Sequence, residues 1–293
     1  LSVTWSKIAD IETKRGNLDR AMDAYGKALE IRLELSKIDP VNTKWQQDCS
    51  LSWTRIGDIE RRLGNLDHAR DAYEKDLAIM LELAAKDPEN TDWKRDLSVS
   101  WKRVGDIEEA RGNLDQAMEA YEKSVKILLD LTEKDPENTD WKRDLSVSWY
   151  KIGVIEAKRG NIDRALEAYN NALAIRLELT EKDPENLRWH LDYSLSLSRI
   201  GKLYQQKGEL PRSKECFLQV LEILRTLATK APEMVDSTIG LALALLDLYQ
   251  VSENEDEKQA YHVEAAQIAK SLVDTGVQHR DLNTLLNRLS IDR

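Results

Sequence analysis

One phenylalanine in 293 residues, two cysteines, and no apolar run near the ~18 residues that span a bilayer narrow the field before any motif is sought. A chain so poor in aromatic and β-branched residues, with 33% charged and 41% hydrophobic side chains, favours helices over sheets. Basic residues are in the minority, for a formal charge of −10 and a pI of about 5.1, which argues against a nucleic-acid partner. No membrane partner is expected either. His68, His190, His262 and His279 are scattered, without metal-ligand spacing among themselves or to Cys49 and Cys216. The chain has no glycine-rich phosphate loop and no serine in a nucleophile-elbow context. Catalysis, a metal and a cofactor are therefore not expected. An initiator Met is also missing: Leu1–Trp5 opens partway through a pattern seen again at Leu97–Trp101, so a fragment of a longer protein is expected.

What the chain does have is repetition. The sixteen residues from Lys86 to Trp101 recur letter for letter from Lys134 to Trp149, an offset of 48. The same offset places Pro40, Pro88, Pro136, Pro184 and Pro232, then Gly16, Gly64, Gly112, Gly160 and Gly208. One tryptophan series runs Trp45, Trp93, Trp141, Trp189; the other runs Trp5, Trp53, Trp101, Trp149, with Leu197 in the fifth slot. A period between 20 and 50 residues marks a solenoid, in which each repeat packs only on its neighbours. In such an array Cys49 and Cys216 lie too far apart for a disulfide, so a reducing, cytoplasmic location is expected. Cys49 takes the apolar slot of Leu97 and Leu145, which reads as a core thiol.

Within the second repeat, Trp45, Cys49, Trp53, Ile56, Ile59 and Leu63 step by three and four and form one stripe on a helix. Thr43 is placed to cap it, and Gly64-Asn65 to end it. A second helix carries Leu66, Ala69, Tyr73, Leu77, Met80 and Ala84, its stripe widened by Ala72, Ile79 and Leu83 for contact with two neighbours. Each repeat thus reads as two helices of roughly 20 residues, ~30 Å long. The tryptophans lie on the apolar stripes and read as core rather than as an aromatic binding surface.

With Trp53 as the fourth position, Ile56, Gly57, Gly64, Ala69 and Tyr73 fall on the hydrophobic, small and aromatic slots of the 34-residue tetratricopeptide repeat. The slots recur as Val104, Gly105, Gly112, Ala117 and Tyr121, as Ile152, Gly153, Gly160, Ala165 and Tyr169, and in part as Ile200, Gly201, Gly208 and Phe217. The chain therefore resembles an extended tetratricopeptide array, similar to those of kinesin light chains and of bacterial multidomain signalling proteins. The resemblance implies an all-α, right-handed superhelix of antiparallel helix pairs. Residues 1–232 form about five repeats, the first incomplete, and residues 233–293 a degenerate final repeat with capping helices. One slot departs from the family: Glu12, Glu60, Glu108 and Glu156 stand where it has tyrosine, a pattern restored at Tyr204. A carboxylate near a helix seam needs a donor, and a Trp indole, a hydroxyl or a base is expected to supply it.

The resemblance also implies a non-catalytic scaffold that binds a peptide or protein in the concave groove lined by first helices. Position six is basic throughout: Lys7, Arg55, Arg103, Lys151, Arg199. Position nine runs Asp10, Asp58, Asp106, Val154, Lys202, and position thirteen Lys14, Arg62, Ala110, Lys158, Gln206. The groove is expected to grow more positive along the chain and to favour an acidic partner. A plainer reading stands beside it. Asp58 with Arg62 and Asp10 with Lys14 have the spacing of ordinary helix-surface pairs, and Asp48, Asp96, Asp144 and Asp192 can ladder with the basic row. Two alternatives also stay open: a sensor arm controlling an attached NTPase or protease domain, and a self-association module acting through the N-terminal face; a monomer or weak self-association is expected.

Overall fold

The computed structural model describes residues 1–277 and 279–289. Among them the chain forms thirteen helices and no strand. It divides into two compact units, Leu1–Ile155 and Glu156–Arg293.

The first unit holds α1 (Ser2–Lys14), α2 (Leu18–Ile38), α3 (Thr43–Leu63), α4 (Leu66–Lys86), α5 (Thr91–Arg111) and α6 (Leu114–Lys134), with most of α7 (Thr139–Lys158). Helices alternate as the first and second of each repeat, and their lengths match the sequence reading. The first helices α3, α5 and α7 each start at an asparagine. Asn42 and Asn90 accept from the backbone N–H of Trp45 and Trp93, at 3.2 and 3.1 Å, and Asn138 does the same for Trp141. The cap is thus Asn42, one residue before Thr43, which already lies in the helix. At the other end Gly64 takes φ 84°, where a side chain would be strained, and the Asn65 N–H closes back on the Glu60 carbonyl at 2.9 Å.

The two helices of a repeat meet glycine against an aromatic ring. A Cβ added at Gly57 would lie 2.6 Å from Tyr73 Cε1, so only glycine lets α3 and α4 approach this closely. Tyr73 and Tyr121 are fully buried there, among Ala69, Ala72, Ala117 and Ala120. The tryptophans are less deeply placed. Trp141 is buried, but Trp5, Trp53 and Trp101 are half-buried, and the ammonium groups of Lys27, Lys75 and Lys123 lie 4.2–4.7 Å above their rings. Core packing is only half of their environment.

The second unit contains α8 (Ile162–Lys182), α9 (Leu187–Gln206), α10 (Leu210–Lys230), α11 (Val235–Val251), α12 (Glu255–Asp274) and α13 (Arg280–Leu289). Phe217 meets Gly201 as Tyr73 meets Gly57, with a would-be Cβ 2.7 Å from the ring. One apolar cluster runs from Leu197 through Leu224 and Leu245 to Leu285, and α13 lays Leu282, Leu285, Leu286 and Leu289 into it. Among the described residues no helix is long and apolar enough to cross a membrane.

Candidate functional site

Positions spaced by three, four and seven on one helix share a face. On α3 that face carries Leu51, Arg55, Asp58 and Arg62; on α5, Val99, Arg103 and Asp106; on α7, Val147 and Lys151. The position-nine aspartates are held from behind. Tyr73 donates its hydroxyl to Asp58 at 2.8 Å and Tyr121 to Asp106 at 2.9 Å, and Tyr25 donates likewise to Asp10. Burial and the facing carboxylates raise all three phenols, Tyr25 to about 12. The aspartate gives way first, to Val154 while Tyr169 is kept, and in the next repeat Lys202 and Phe217 replace both acceptor and hydroxyl.

Between α5 and α7 the face is closed by charge. Lys151 Nζ lies 2.8 Å from Asp106 and 3.2 Å from Glu109, and Lys102 meets Asp106 at 2.9 Å. Burial works to raise the Asp106 carboxyl, and the ammonium groups of Lys102 and Lys151 overcome it, holding it below the usual range. The second unit inverts this rung: Lys202 lies 3.4 Å and Arg288 2.8 Å from the buried Asp247, which stands at position six of α11. The ladder therefore joins position nine to the next repeat's position six. Asp144, expected to pair with that basic row, instead accepts from Arg95 at 2.9 Å, and Asp48 and Asp192 pair within their own helices with Lys44 and Arg188. The expected Asp58–Arg62 and Asp10–Lys14 pairs do not form; these aspartates accept tyrosine hydroxyls.

Elsewhere in the first unit the row is open. Lys7, Arg55, Arg62 and Arg103 form no ion pair among the described residues, and Lys7, Arg55 and Arg62 are exposed. In the second unit Lys158 and Arg199 are exposed. Beside Arg103, a cavity of about 300 Å³ lies between α3 and α5, with Asp76 of α4 in its wall. Asp76 is 1% exposed; Ser50 donates to its Oδ1, and its Oδ2 has no partner. Burial raises this carboxyl, opposed chiefly by the Ser50 hydrogen bond. Sequence reasoning passed over it, although the slot holds Ala28, Ser124, Ala172 and Val220 in the other repeats.

The glutamates in the family's tyrosine slot are paired, as expected, but with an unexpected donor. Glu12, Glu60, Glu108 and Glu156 accept from the turn amides of Asn17, Asn65, Asn113 and Asn161. Arg70 adds a base to the buried Glu108 at 2.7 Å. Where Tyr204 returns, Glu209 replaces the asparagine, and Arg212 packs 5.5 Å over the tyrosine ring. Glutamate and asparagine thus act as a clasp across the turn.

Comparisons with known proteins agree with this fold. No curated protein sequence matches the chain. Many solved structures resemble it, and three illustrate the range. BtubC (BKLC) from P. vanneervenii is 17% identical over 90% of this chain and 94% of its own, at TM-score 0.68. A putative kinesin light chain with nearly identical TPR-like repeats, from Podosopora anserina, is 16% identical over 79% and 95%, at 0.51. A Signal Transduction ATPase with Numerous Domains (STAND) protein with a tetratricopeptide repeat sensor, from Pyrococcus horikoshii, is 14% identical over 99% of this chain and 38% of its own, at 0.66. The tetratricopeptide repeat model matches residues 3–34, 51–77, 100–127, 147–178 and 196–223, each match carrying one turn glycine and the small residue after it. Helix pairs, glycine-on-aromatic contacts and matched segments share one register, and the chain belongs to the tetratricopeptide repeat family.

Proposed function

We propose that this chain is a non-catalytic scaffold that holds an acidic peptide or protein segment along its first-helix face. The carrying observation is the open basic row: Lys7, Arg55, Arg62 and Arg103 share that face without an ion-pair partner among the described residues. Guanidinium groups left in this state offer forked hydrogen bonds to carboxylates. In the second unit Lys202 is held by Asp247, and residues 233–293 serve as the end cap. Lys151 belongs to the structure rather than to the reading surface, because Asp106 and Glu109 already hold it.

Fluorescence anisotropy with pooled short Asp/Glu-rich peptides tests this. The Arg55→Glu/Arg103→Glu variant is expected to lose binding while its helical circular dichroism stays unchanged. Equal binding by the variant removes the face from the account. A second reading, a sensor arm on an attached NTPase domain, draws on the STAND structure, whose TPR part is named a sensor and of which this fold covers 38%.

A further inference from the structure

The second helix of repeat two breaks the register at one buried slot. Small or apolar residues fill it elsewhere, and Asp76 fills it here. A buried carboxylate oxygen without a donor is costly and is retained where something supplies that donor. The surrounding cavity is shaped to do so: Leu51, Met80 and Val99 give it apolar wall, and Asp48 and Asp96 bring its carboxylates to three, one from each of α3, α4 and α5. Lys44 already engages Asp48 at 3.4 Å. The Ser100 hydroxyl bonds the Asp96 carbonyl at 3.1 Å and, with the Thr54 hydroxyl, lies near the Asp76 carboxyl without completing a hydrogen bond to Oδ2. What remains is two carboxylates against the guanidinium of Arg103, since Arg95, which also acts on Asp96, is held by Asp144 at 2.9 Å, and an acceptor is left unmet.

We propose that this cavity is a subsite for a primary ammonium group, the lysine side chain of a segment lying on the first-helix face. An ammonium is compact, carries three donors and no acceptor, and ends an apolar stem that suits Leu51, Met80 and Val99. It would donate to Asp76 Oδ2 and Asp96, while Arg103 takes an acidic neighbour on the same segment. An anion would face the carboxylates; a second guanidinium would crowd Arg103. The chemistry of the cavity stands on its own, and only the source of the lysine rests on the scaffold reading.

The test uses the full chain with labelled methyl groups and n-butylamine as the probe. Saturable shifts are expected at the Leu51, Met80 and Val99 methyls, with a Kd of about millimolar for so small a ligand, and none with n-butanol. Asp76→Ala is expected to fold, since Ala28 and Ala172 occupy the slot, and to weaken the amine about tenfold or more; Asp76→Asn should do the same. No shift in the wild-type chain, or equal shifts in the variants, overturns the subsite. An acidic peptide with one central lysine should outbind its norleucine analogue about tenfold, and equal affinity overturns the assignment to a partner's lysine. Arg55→Glu, outside the cavity, separates the two readings: it should reduce peptide binding and leave the butylamine shifts in place.

Discussion

The seam between α5 and α7 and the seam between α3 and α5 are built to one pattern in successive repeats, yet one is closed and the other open. In the closed seam Lys151 is shared by Asp106 and Glu109, and the Ser124 and Ser148 hydroxyls meet 2.9 Å apart beneath it. In the open seam Arg103 stands at the register of Lys151 and Asp58 at that of Asp106, but no ion pair joins them. Position twelve explains the contrast. Glu109 adds a second carboxylate beside Asp106, whereas Arg61 occupies the same slot beside Asp58 and offsets its charge. Ser124 likewise gives way to Asp76, so the open seam also carries a buried carboxyl with only one oxygen hydrogen-bonded. The backbone repeats; what differs is whether the polar groups are satisfied within the chain.

The largest expected effect comes from cutting the closed seam. Lys151→Met leaves Asp106 and Glu109 without their shared cation and should cost about 2–3 kcal/mol in urea unfolding. Arg103→Met, its counterpart in the open seam, should stay within about 0.5 kcal/mol. Similar losses at both sites would erase the distinction.

Next comes Asp76→Ala, which should raise stability by about 1–2 kcal/mol, because it removes a buried unsatisfied acceptor at a slot that alanine fills elsewhere. Melting curves report it, and a loss of stability would mean that the carboxyl is internally satisfied.

The two aspartates should also differ in sign with pH. The raised carboxyl of Asp76 binds its proton earlier in the native state than in the unfolded chain. Its penalty therefore shrinks as pH falls through its raised folded value toward the ordinary carboxylate value, and the Asp76→Ala gain should fade there. Asp106 is lowered, so its contribution is present above the ordinary value and lost only as pH falls through its lower folded value. The Lys151→Met deficit should persist at a pH where the Asp76→Ala gain has gone. Unfolding midpoints of the three chains across that range check the order.

The smallest effect is a graft. Arg61→Glu copies Glu109 into the open seam and should draw Arg103 into a rung, adding about 0.5 kcal/mol and weakening the acidic-peptide pool. Unchanged peptide binding would show that closing the rung does not matter.

The sequence was most legible where the physics is periodic. Helix lengths, turn glycines and the glycine-to-tyrosine contact follow from a 48-residue register and the 3.6-residue helix. The cap was misplaced by one residue, because Asn42 and Thr43 are both good caps and only the backbone decides between them. Pairing across repeats was harder. Asp144 meets Arg95 rather than the position-six row because the offset between neighbouring helices sets that match, not spacing along one helix. The asparagine clasp on Glu60 was hidden for a similar reason: the amide reaches back only after Gly64 has turned the chain. Asp76 left a visible signal, a single acid in a column of small residues, but one read by scanning second helices down the register rather than along the chain.

The lysines above Trp5, Trp53 and Trp101 have an optical consequence. Repeats one to three carry their own fluorophores, each with a cation resting on its ring, and each ring should change emission when that cation departs. In an array whose repeats open in sequence from the ends, these indoles would report fraying repeat by repeat with no added label. Replacing Lys27, Lys75 or Lys123 one at a time would assign each signal to its repeat.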